Sequence, residues 1–436
     1  MKTLYSGRYV VTMDDAGTEY PDGWLLEEDG LVAAVGDGEP PAADRRSELN
    51  GALVTPGFVN THHHLYQSLT RARAQQADLF TWLRELYPVW ARLDADAEYA
   101  AARYGLAELM TTGCTTVFDH HYVFPRGMDG LIEAEIEAAR ELGVRLVASR
   151  GSMDLGESDG GLPPDSLVEE LDEVLADTEL LAGLHERGPG AQIQLAVAPC
   201  SPFSATGRLM RESAELARRL GVKLHTHLAE TVEEEEYCRE LYGCRPVEYL
   251  QELGWLDGDV WCAHCVHLSD DDIAAFAAGG AGVAHCPTSN LRLGAGIARV
   301  RELLDAGVPV GLGVDGSASN ERGDLSFEVK QALLVARALG GPAALTAREA
   351  LRLATRGGAA VLGRDDVGSL EPGKCADFAS WDDEALFSGT EDPVAALVFG
   401  GPRTVGNLVV GGRHVFDNLV EDEIAREHGR VAARFR

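Results

Sequence analysis

The sequence predicts an α/β protein: a (β/α)₈ TIM barrel with a small β-sandwich domain built from both chain ends. Short β-branched runs alternate with longer amphipathic segments through the middle of the chain, the pattern of parallel strands joined by helical crossovers. Eight such runs are present, and polar residues collect at the end of each. The 436 residues also suffice for one barrel of about 250 residues and a smaller domain.

In chain order, the eight predicted strands each end close to a polar side chain. Those ends lie near His64, His121, Arg150, Ser201, His227, His264, His285 and Asp315. Amphipathic helices are expected between them, for example at 97–111, 131–142, 208–220 and 273–278. The acidic run 233–236 is expected to open a further helix and to form its solvated face. Because such barrels carry their chemistry at the carboxyl ends of the strands, the polar residues should meet at one mouth.

The alternation breaks at both ends of the chain. Short strand-like runs with glycine turns are found there, at 4–13, 24–35, 377–381, 396–398 and 407–415. We therefore expect residues 1–55 and 366–436 to form one composite β-domain, which leaves residues 56–365 for the barrel.

Composition limits the classes of binding partner and the cellular compartment that we expect for this protein. The 70 acidic and 38 basic residues give a formal net charge of -32, which repels nucleic acid and anionic membranes and favours a small-molecule substrate. The N-terminal residues lack the apolar core of a signal peptide, and no run approaches 18 apolar residues, so a cytoplasmic protein is expected. Eight scattered cysteines do not form a disulfide framework.

A cluster of histidines indicates a metal. The string Asn-Thr-His-His-His closes an apolar run at 53–59 that is predicted to be one strand, and alternation along a strand points His62 and His64 to the same side. A catalytic zinc or iron centre needs further nitrogen and oxygen ligands and one open position. His227 and Asp315, at later strand ends, complete a predicted metal set with His62 and His64. Glu230, not needed as a ligand, is then free to move protons.

These motifs resemble those of amidohydrolase-superfamily deaminases. The strings that carry the resemblance are Pro-Gly-Phe-Val-Asn-Thr-His-His-His, His-Leu-Ala-Glu-Thr, Ala-His-Cys-Val-His and Gly-Val-Asp-Gly-Ser-Ala-Ser-Asn, and they span nearly the whole chain. The resemblance implies a single divalent metal, zinc before iron, held by the predicted set. It also implies Glu230 as proton shuttle, His264 beside the substrate, and Asp315 as both a ligand and a proton acceptor.

Finer strings are similar to those of the deaminases that act on an oxidised purine, 8-oxoguanine; they lie at 64–71, 86–93, 160–169 and 198–204. This similarity implies hydrolysis of 8-oxoguanine to urate and ammonia, with Gln67, Cys200 and His264 next to the purine ring. The residues alone leave Gln67 open as a helix cap and Cys200 open as a small buried hydrophobic group. A homo-oligomer is expected, as for many large barrels of this kind.

Three alternatives stay open. A cyclic-amide hydrolase would bridge two metals with a carboxylated lysine at the end of strand four, but that strand ends Ala-Pro-Cys-Ser. An aminohydrolase or chlorohydrolase of hydroxytriazine, isocytosine or pterin rings would use the same metal and Glu230 with a different ring pocket. A noncatalytic metal-binding barrel protein predicts loss of Glu230 or Asp315, and both are present.

Overall fold

The computed structural model describes residues 1–49, 52–419 and 421–436. Asn50, Gly51 and Val420, which belong to the predicted end domain, lie outside that description. The N-terminal strands are β1 (Lys2–Ser6), β2 (Tyr9–Val11), β3 (Glu19–Pro21), β4 (Trp24–Glu28), β5 (Leu31–Gly36), β6 (Arg45–Glu48) and β7 (Leu53–Pro56). Four of them form a sheet in the order β5-β4-β1-β6.

A closed parallel barrel occupies the middle of the chain. Its strands are β8 (Phe58–Asn60), β9 (Cys114–Phe118), β10 (Arg145–Ser152), β11 (Ile193–Pro199), β12 (Lys223–Leu228), β13 (Val260–His264), β14 (Gly282–His285) and β15 (Val310–Leu312). They pair in chain order, and β15 closes the barrel onto β8 through Leu312 and Asn60. The predicted barrel is therefore confirmed, and each predicted barrel strand corresponds to one of these elements.

Helices cross between the strands. They are α1 (Leu79–Trp90), α2 (Ala95–Thr111), α3 (Leu131–Leu142), α4 (Leu171–Leu181), α5 (Gly207–Leu220), α6 (Val232–Tyr242), α7 (Pro246–Glu252), α8 (Asp270–Gly279), α9 (Pro287–Arg292), α10 (Val300–Asp305), α11 (Leu325–Gly340), α12 (Ala347–Arg352) and α13 (Gly358–Leu362). Side-chain caps begin several of them: Asp78 accepts from Thr81 N at α1, and Ser269 forms a capping box at α8. These caps satisfy amide groups that the helix itself leaves unpaired.

The C-terminal region contributes β16 (Phe378–Trp381), α14 (Pro393–Gly400), β17 (Asn407–Val410), β18 (Arg413–His414) and α15 (Glu421–Ala432). Strand β16 pairs antiparallel with β7, so a sheet in the order β18-β17-β16-β7-β2-β3 draws on both ends of the chain. A buried ion pair ties it to the barrel, because Arg145 of β10 donates to Asp377 at 2.6 Å. The domain bounds 1–55 with 366–436 and 56–365, and the sandwich arrangement, stay predictions.

Two local expectations were wrong. The apolar run 53–59, expected as one strand, divides at Gly57 between the end sheet and the barrel. A Cβ at this glycine would lie 2.1 Å from Thr115 Oγ1, so only glycine allows the close approach at which the chain changes sheet. The predicted strand 396–398 lies in α14, which Asp392 caps by accepting from Ala395 N. A short apolar run does not distinguish a strand from a buried helix.

Helix α15 packs against α2 on the outside of the barrel. The ring of His428 stacks on Tyr104 with centroids 4.1 Å apart, and Arg103 donates to Glu427. Within the described ranges, no helix combines the length and apolarity needed to cross a bilayer. All eight cysteines fall in those ranges and are free thiols.

Candidate active site

The four predicted metal ligands meet at the carboxyl ends of the barrel strands. His64 Nε2 lies 3.2 Å from His227 Nε2 and 3.3 Å from Asp315 Oδ1. His62 Nε2 lies 3.4 Å from the same carboxylate oxygen. All four side chains are buried. Segments that follow β8, end β12 and follow β15 are thus brought to one point by the barrel.

Hydrogen bonds on the far side of each ring decide which nitrogen faces this point. His64 Nδ1 donates to His120 O at 2.7 Å, and His227 Nδ1 donates to Cys200 O at 2.7 Å. His62 Nδ1 donates to His225 Nε2 at 2.9 Å, because His225 uses its own Nδ1 proton on Trp261 O. In a neutral ring, the Nε2 atom of each of these three histidines then carries no proton and directs its lone pair toward this point.

Burial keeps these rings neutral. It lowers the pKa of His62 below the ordinary value, and it lowers the pKa values of His64 and His227 well below it. Three lone pairs and a carboxylate oxygen therefore face one another with no proton between them, an arrangement that a cation stabilises. Zinc bound at about 2.0–2.2 Å places neighbouring ligand atoms about 3.3–3.6 Å apart, and the separations of 3.2, 3.3 and 3.4 Å here are close to that range. The residues fit a divalent metal.

His120 also belongs to this group of imidazoles. One of its ring nitrogens lies within 4.8 Å of ligand atoms of His62, His64 and His227. Its Nε2 donates to Ala198 O, while its Nδ1 has no hydrogen-bond partner. No chemical role was predicted for His120, although it lies two residues beyond β9, in a polar string like those that follow the other strands.

Two serines hold the Asp315 carboxylate. Ser289 Oγ donates to Asp315 Oδ2 at 2.5 Å, and Ser319 Oγ donates to the same oxygen at 3.2 Å. Burial alone would raise the pKa of Asp315, but the contact with His62 and the nearby imidazoles lower it well below its ordinary value. The carboxylate is therefore ionised and fixed in orientation. Neither serine was predicted, although both lie in polar strings just past β14 and β15.

Glu230 and His264 face each other across the site. Glu230 Oε2 lies 3.6 Å from His264 Nε2, which in turn is 4.0 Å from Asp315 Oδ2. Burial raises the pKa of Glu230 to about 7, so this carboxyl exchanges protons near neutrality. Burial opposes a charge on His264, yet the carboxylates of Glu230 and Asp315 raise its pKa above the ordinary value. Its Nδ1 is fixed by Asn290 Oδ1 at 2.9 Å.

The loop that carries Glu230 is held by Glu234. This carboxylate accepts from Ala229 N at 2.8 Å and from Glu230 N at 2.9 Å, and it is fully buried. The acidic run does open α6, as expected, but the expectation of a solvated face was wrong for Glu234. Ala229, His264 and Asp315 have φ of 50°, 71° and 63°, so strained backbone coincides with the functional strand ends.

A small cavity at the carboxyl ends of the barrel strands opens onto these groups. Besides the predicted residues, α1 contributes Trp82 and Tyr87 to its wall. Gln67 and Cys200 line the cavity as well. Gln67 lies within a short helix at Leu65–Thr70 rather than at its cap, which is His64.

Gln67 and Cys200 both lie close to the predicted metal ligands. Gln67 Oε1 is buried without a hydrogen-bond partner, and a Cβ at position 316 would lie 2.0 Å from it, so Gly316 makes room for the amide. Cys200 Sγ lies 3.9 Å from His227 Nδ1, and burial raises the pKa of the thiol to about 12. Cys200 directly follows β11, where a two-metal site would need its lysine.

Comparison with known proteins identifies the family. The model of the amidohydrolase family matches residues 53–415. The chain is 47% identical over 412 residues to the 8-oxoguanine deaminase of Pseudomonas aeruginosa, covering 93% of this chain and 92% of that protein. It is 39% identical over 428 residues to an isoxanthopterin deaminase from an unknown prokaryotic organism, covering 92% and 89%. The crystal structure of atrazine chlorohydrolase from Arthrobacter aurescens TC1 complexed with zinc superimposes with a TM-score of 0.93 at 35% identity, covering 100% of both chains.

These similarities agree with the geometry. The solved relative is complexed with zinc, and this chain has a buried, histidine-rich metal site, so the predicted divalent metal cofactor is confirmed. The predicted enzyme class, a hydrolase that acts on carbon–nitrogen bonds of small molecules, is confirmed too. The chain belongs to the amidohydrolase family.

Proposed function

We propose that this hydrolase deaminates an oxidised purine, converting 8-oxoguanine and water to urate and ammonia. The observation that carries the proposal is the small buried cavity in which Gln67 and Cys200 stand beside Glu230, His264 and the predicted metal ligands. The 47% identity to an 8-oxoguanine deaminase supports the same substrate.

The metal would be held by His62, His64, His227 and Asp315. When bound, a divalent metal in such a site lowers the pKa of water from about 16 toward about 7 and so supplies a nucleophile at neutral pH. The roles that remain belong to the protein. Asp315, ionised and oriented by Ser289 and Ser319, accepts a proton from the attacking water.

The reaction needs two further proton transfers. As the water oxygen bonds to the carbon that carries the exocyclic amine, Glu230 donates its proton to the adjacent ring nitrogen. Asp315 then passes its proton to the amine, and the carbon–nitrogen bond breaks to release ammonia. Glu230 recovers a proton from the new hydroxyl as the carbonyl forms. Its pKa of about 7 suits both directions of transfer.

Three side chains position the ring. His264 donates from Nε2 to a ring carbonyl, since its Nδ1 is already committed to Asn290. Gln67, with its carbonyl oxygen unpaired, accepts from a ring N–H group. Cys200 remains a neutral thiol and fills space against the ring. The amide of Gln67 would therefore favour a substrate with an additional ring N–H.

A second candidate is deamination of a pterin ring, favoured by the 39% identity to an isoxanthopterin deaminase. It would use the same predicted ligands and Glu230, and it would differ only in the ring contacts. Hydroxytriazine and isocytosine rings belong to the same group of alternatives.

A substrate panel tests the proposal. Zinc-loaded enzyme is assayed for ammonia release with 8-oxoguanine, guanine, isoxanthopterin, isocytosine and a hydroxytriazine, and kcat/KM is compared. We expect 8-oxoguanine to have the highest value, with urate as the product. A higher kcat/KM for isoxanthopterin would favour the second candidate, and no turnover of any ring with bound zinc would favour a noncatalytic barrel.

The Gln67 contact has its own test. We expect Gln67→Leu to lower kcat/KM for 8-oxoguanine by about 10- to 100-fold, because leucine would leave a ring N–H of the bound substrate buried without a hydrogen-bond acceptor. The homo-oligomer, the cytoplasmic location and the exclusion of nucleic acid also stay predictions, and sedimentation analysis of the holoenzyme tests the first.

A further inference from the structure

A second cluster of titratable side chains lies outside the catalytic cavity. Glu98 on α2, Glu135 on α3 and His121 just beyond β9 are fully buried. One ligand atom from each lies within 4.8 Å of the others. The cluster is next to the short helix that carries Gln67, since the rings of His121 and Tyr66 are 5.3 Å apart.

The hydrogen bonds of His121 leave a lone pair facing a carboxylate. His121 Nε2 donates to Val123 O at 3.0 Å, so in the neutral ring Nδ1 carries no proton. Nδ1 has no hydrogen-bond partner and lies 3.6 Å from Glu98 Oε2. Two acceptors face each other at a separation that is too long for a hydrogen bond but suits two ligands of one cation.

Among the described residues, the carboxyl groups of Glu98 and Glu135 have no hydrogen-bond donor, and His121 is the one basic side chain within ion-pair distance. Within the part of the chain that the structure describes, no lysine or arginine forms an ion pair with either of them, and His121 is the sole basic group near Glu98. The buried Asp119 adds a third carboxyl close by, and only its Oδ1 is satisfied, by Leu65 N. Buried carboxylates in proteins are paired or bind metals.

We propose that Glu98, His121 and Glu135 bind a second divalent cation, separate from the catalytic metal. One imidazole nitrogen with carboxylate oxygens is a ligand set that zinc accepts, and manganese is compatible with it. The site is structural rather than catalytic, because none of the three residues lines the cavity.

The second cation would fasten three elements together. Its ligands come from α2, α3 and the segment just beyond β9. Asp119, on the segment that carries His121, accepts a hydrogen bond from Leu65 N, and Leu65 directly follows His64. The next residue, His120, receives the Nδ1 proton of His64 on its carbonyl. The cation would therefore hold the backbone that orients a predicted catalytic ligand.

Metal stoichiometry tests the inference without any activity assay. Enzyme equilibrated with zinc is desalted into metal-free buffer, and zinc per chain is measured by elemental analysis. We expect about two zinc ions per chain for the parent and about one for His62→Ala, in which the catalytic site is impaired. The double variant Glu98→Gln/Glu135→Gln should also keep about one, because carboxamides are poor ligands for zinc.

The matched control is Glu328→Gln. Glu328 is equally buried, but its carboxylate is fully engaged, accepting from Thr288 N and from Asn320 Nδ2. This variant should keep the zinc content of the parent. A parent with one zinc per chain, or a Glu98→Gln/Glu135→Gln variant with as much zinc as the parent, overturns the inference.

Anomalous diffraction at the zinc edge covers the case in which the double variant does not fold. Crystals of the zinc-loaded parent should give one peak at the predicted catalytic ligands and a second between His121 Nδ1 and Glu98. Absence of the second peak overturns the inference whatever the variants do.

Discussion

Each predicted ligand imidazole has one nitrogen committed to a neighbour before any metal binds. His64 and His227 donate to backbone carbonyls, and His62 donates to His225. The rings are therefore already turned with their lone pairs inward, so little rotamer freedom remains to be lost on metal binding. Residue types at strand ends suggested the ligands, but two of the three partners that orient them are backbone carbonyls, which no side-chain pattern reveals.

Replacement of Glu230 separates proton transfer from metal binding. Glu230→Gln should lower kcat by about 10² to 10⁴, because a carboxamide does not donate and recover the proton. Zinc content should be unchanged, since Glu230 is outside the predicted ligand set. Ammonia release and elemental analysis on the same preparation measure both quantities, and near-parental turnover would remove Glu230 from the mechanism.

Ser289 is expected to act through Asp315. Ser289→Ala removes a hydrogen bond to a charged group, worth about 1.5–3 kcal/mol, and should lower kcat roughly 10- to 100-fold with a smaller change in KM. Ser317→Ala is the matched control, because Ser317 Oγ is equally buried and has no hydrogen-bond partner. Equal kcat values for the two variants would show that Ser289 does not position the carboxylate.

At the level of elements, the barrel strands were predictable because each ends in a polar residue and is followed by a helical pattern. The positions at which the prediction from sequence was wrong have physical causes. Gly57 divides an apolar run because the side chain of Thr115 occupies the space a Cβ would need. Helix α14 has the apolar composition of a strand, and its cap at Asp392 is a single residue. Glu234 belongs to an acidic run that is typical of a solvated helix face, yet its carboxylate is turned inward and accepts a hydrogen bond from Glu230 N.

The packing of α15 on α2 predicts an acid-sensitive contact. Burial lowers the pKa of His428 to about 4, against about 6.5 in an unfolded chain. Between these two values the unfolded state binds the extra proton, so lowering the pH lowers the free energy of unfolding, by at most about 1.4 kcal/mol per pH unit. Above pH about 6.5 the full stability is present.

His428→Gln should reduce this dependence. Glutamine keeps a polar group near Ser68 Oγ, which lies 3.1 Å from His428 Nε2, but it does not titrate. Urea unfolding from pH 7 to 4 measures the difference between variant and parent. A constant difference across that range would mean that His428 does not contribute to the acid sensitivity.

The whole molecule joins a closed barrel to sheets that draw on both ends of the chain. Sequence predicted this combination, because the alternation of strands and helices stops at both ends. It did not predict the contacts that join the parts, such as Arg145 with Asp377, since ion pairs between distant segments leave no local pattern. The second acidic cluster was equally hidden, because its members come from two helices and a strand end.

The Arg145–Asp377 pair should matter for global stability. Arg145→Ala leaves a buried carboxylate without its cation, which costs about 3–5 kcal/mol of the free energy of unfolding. The control is Arg208→Ala at an exposed pair with Glu212, with an expected change within about 0.5 kcal/mol. Denaturant titration of both variants measures this, and similar small losses would contradict a linking role for the buried pair.

The pairing of β7 with β16 has a consequence during synthesis. Leu53–Pro56 is synthesised long before its pairing partner Phe378–Trp381. At a translation rate of about 5–20 residues per second, roughly 16–64 s separate the synthesis of the two strands. During that interval a short apolar edge is exposed on the ribosome, where it can pair with a neighbouring nascent chain. Demand for chaperones should therefore be greatest late in translation, and it should fall once the last hundred residues have emerged.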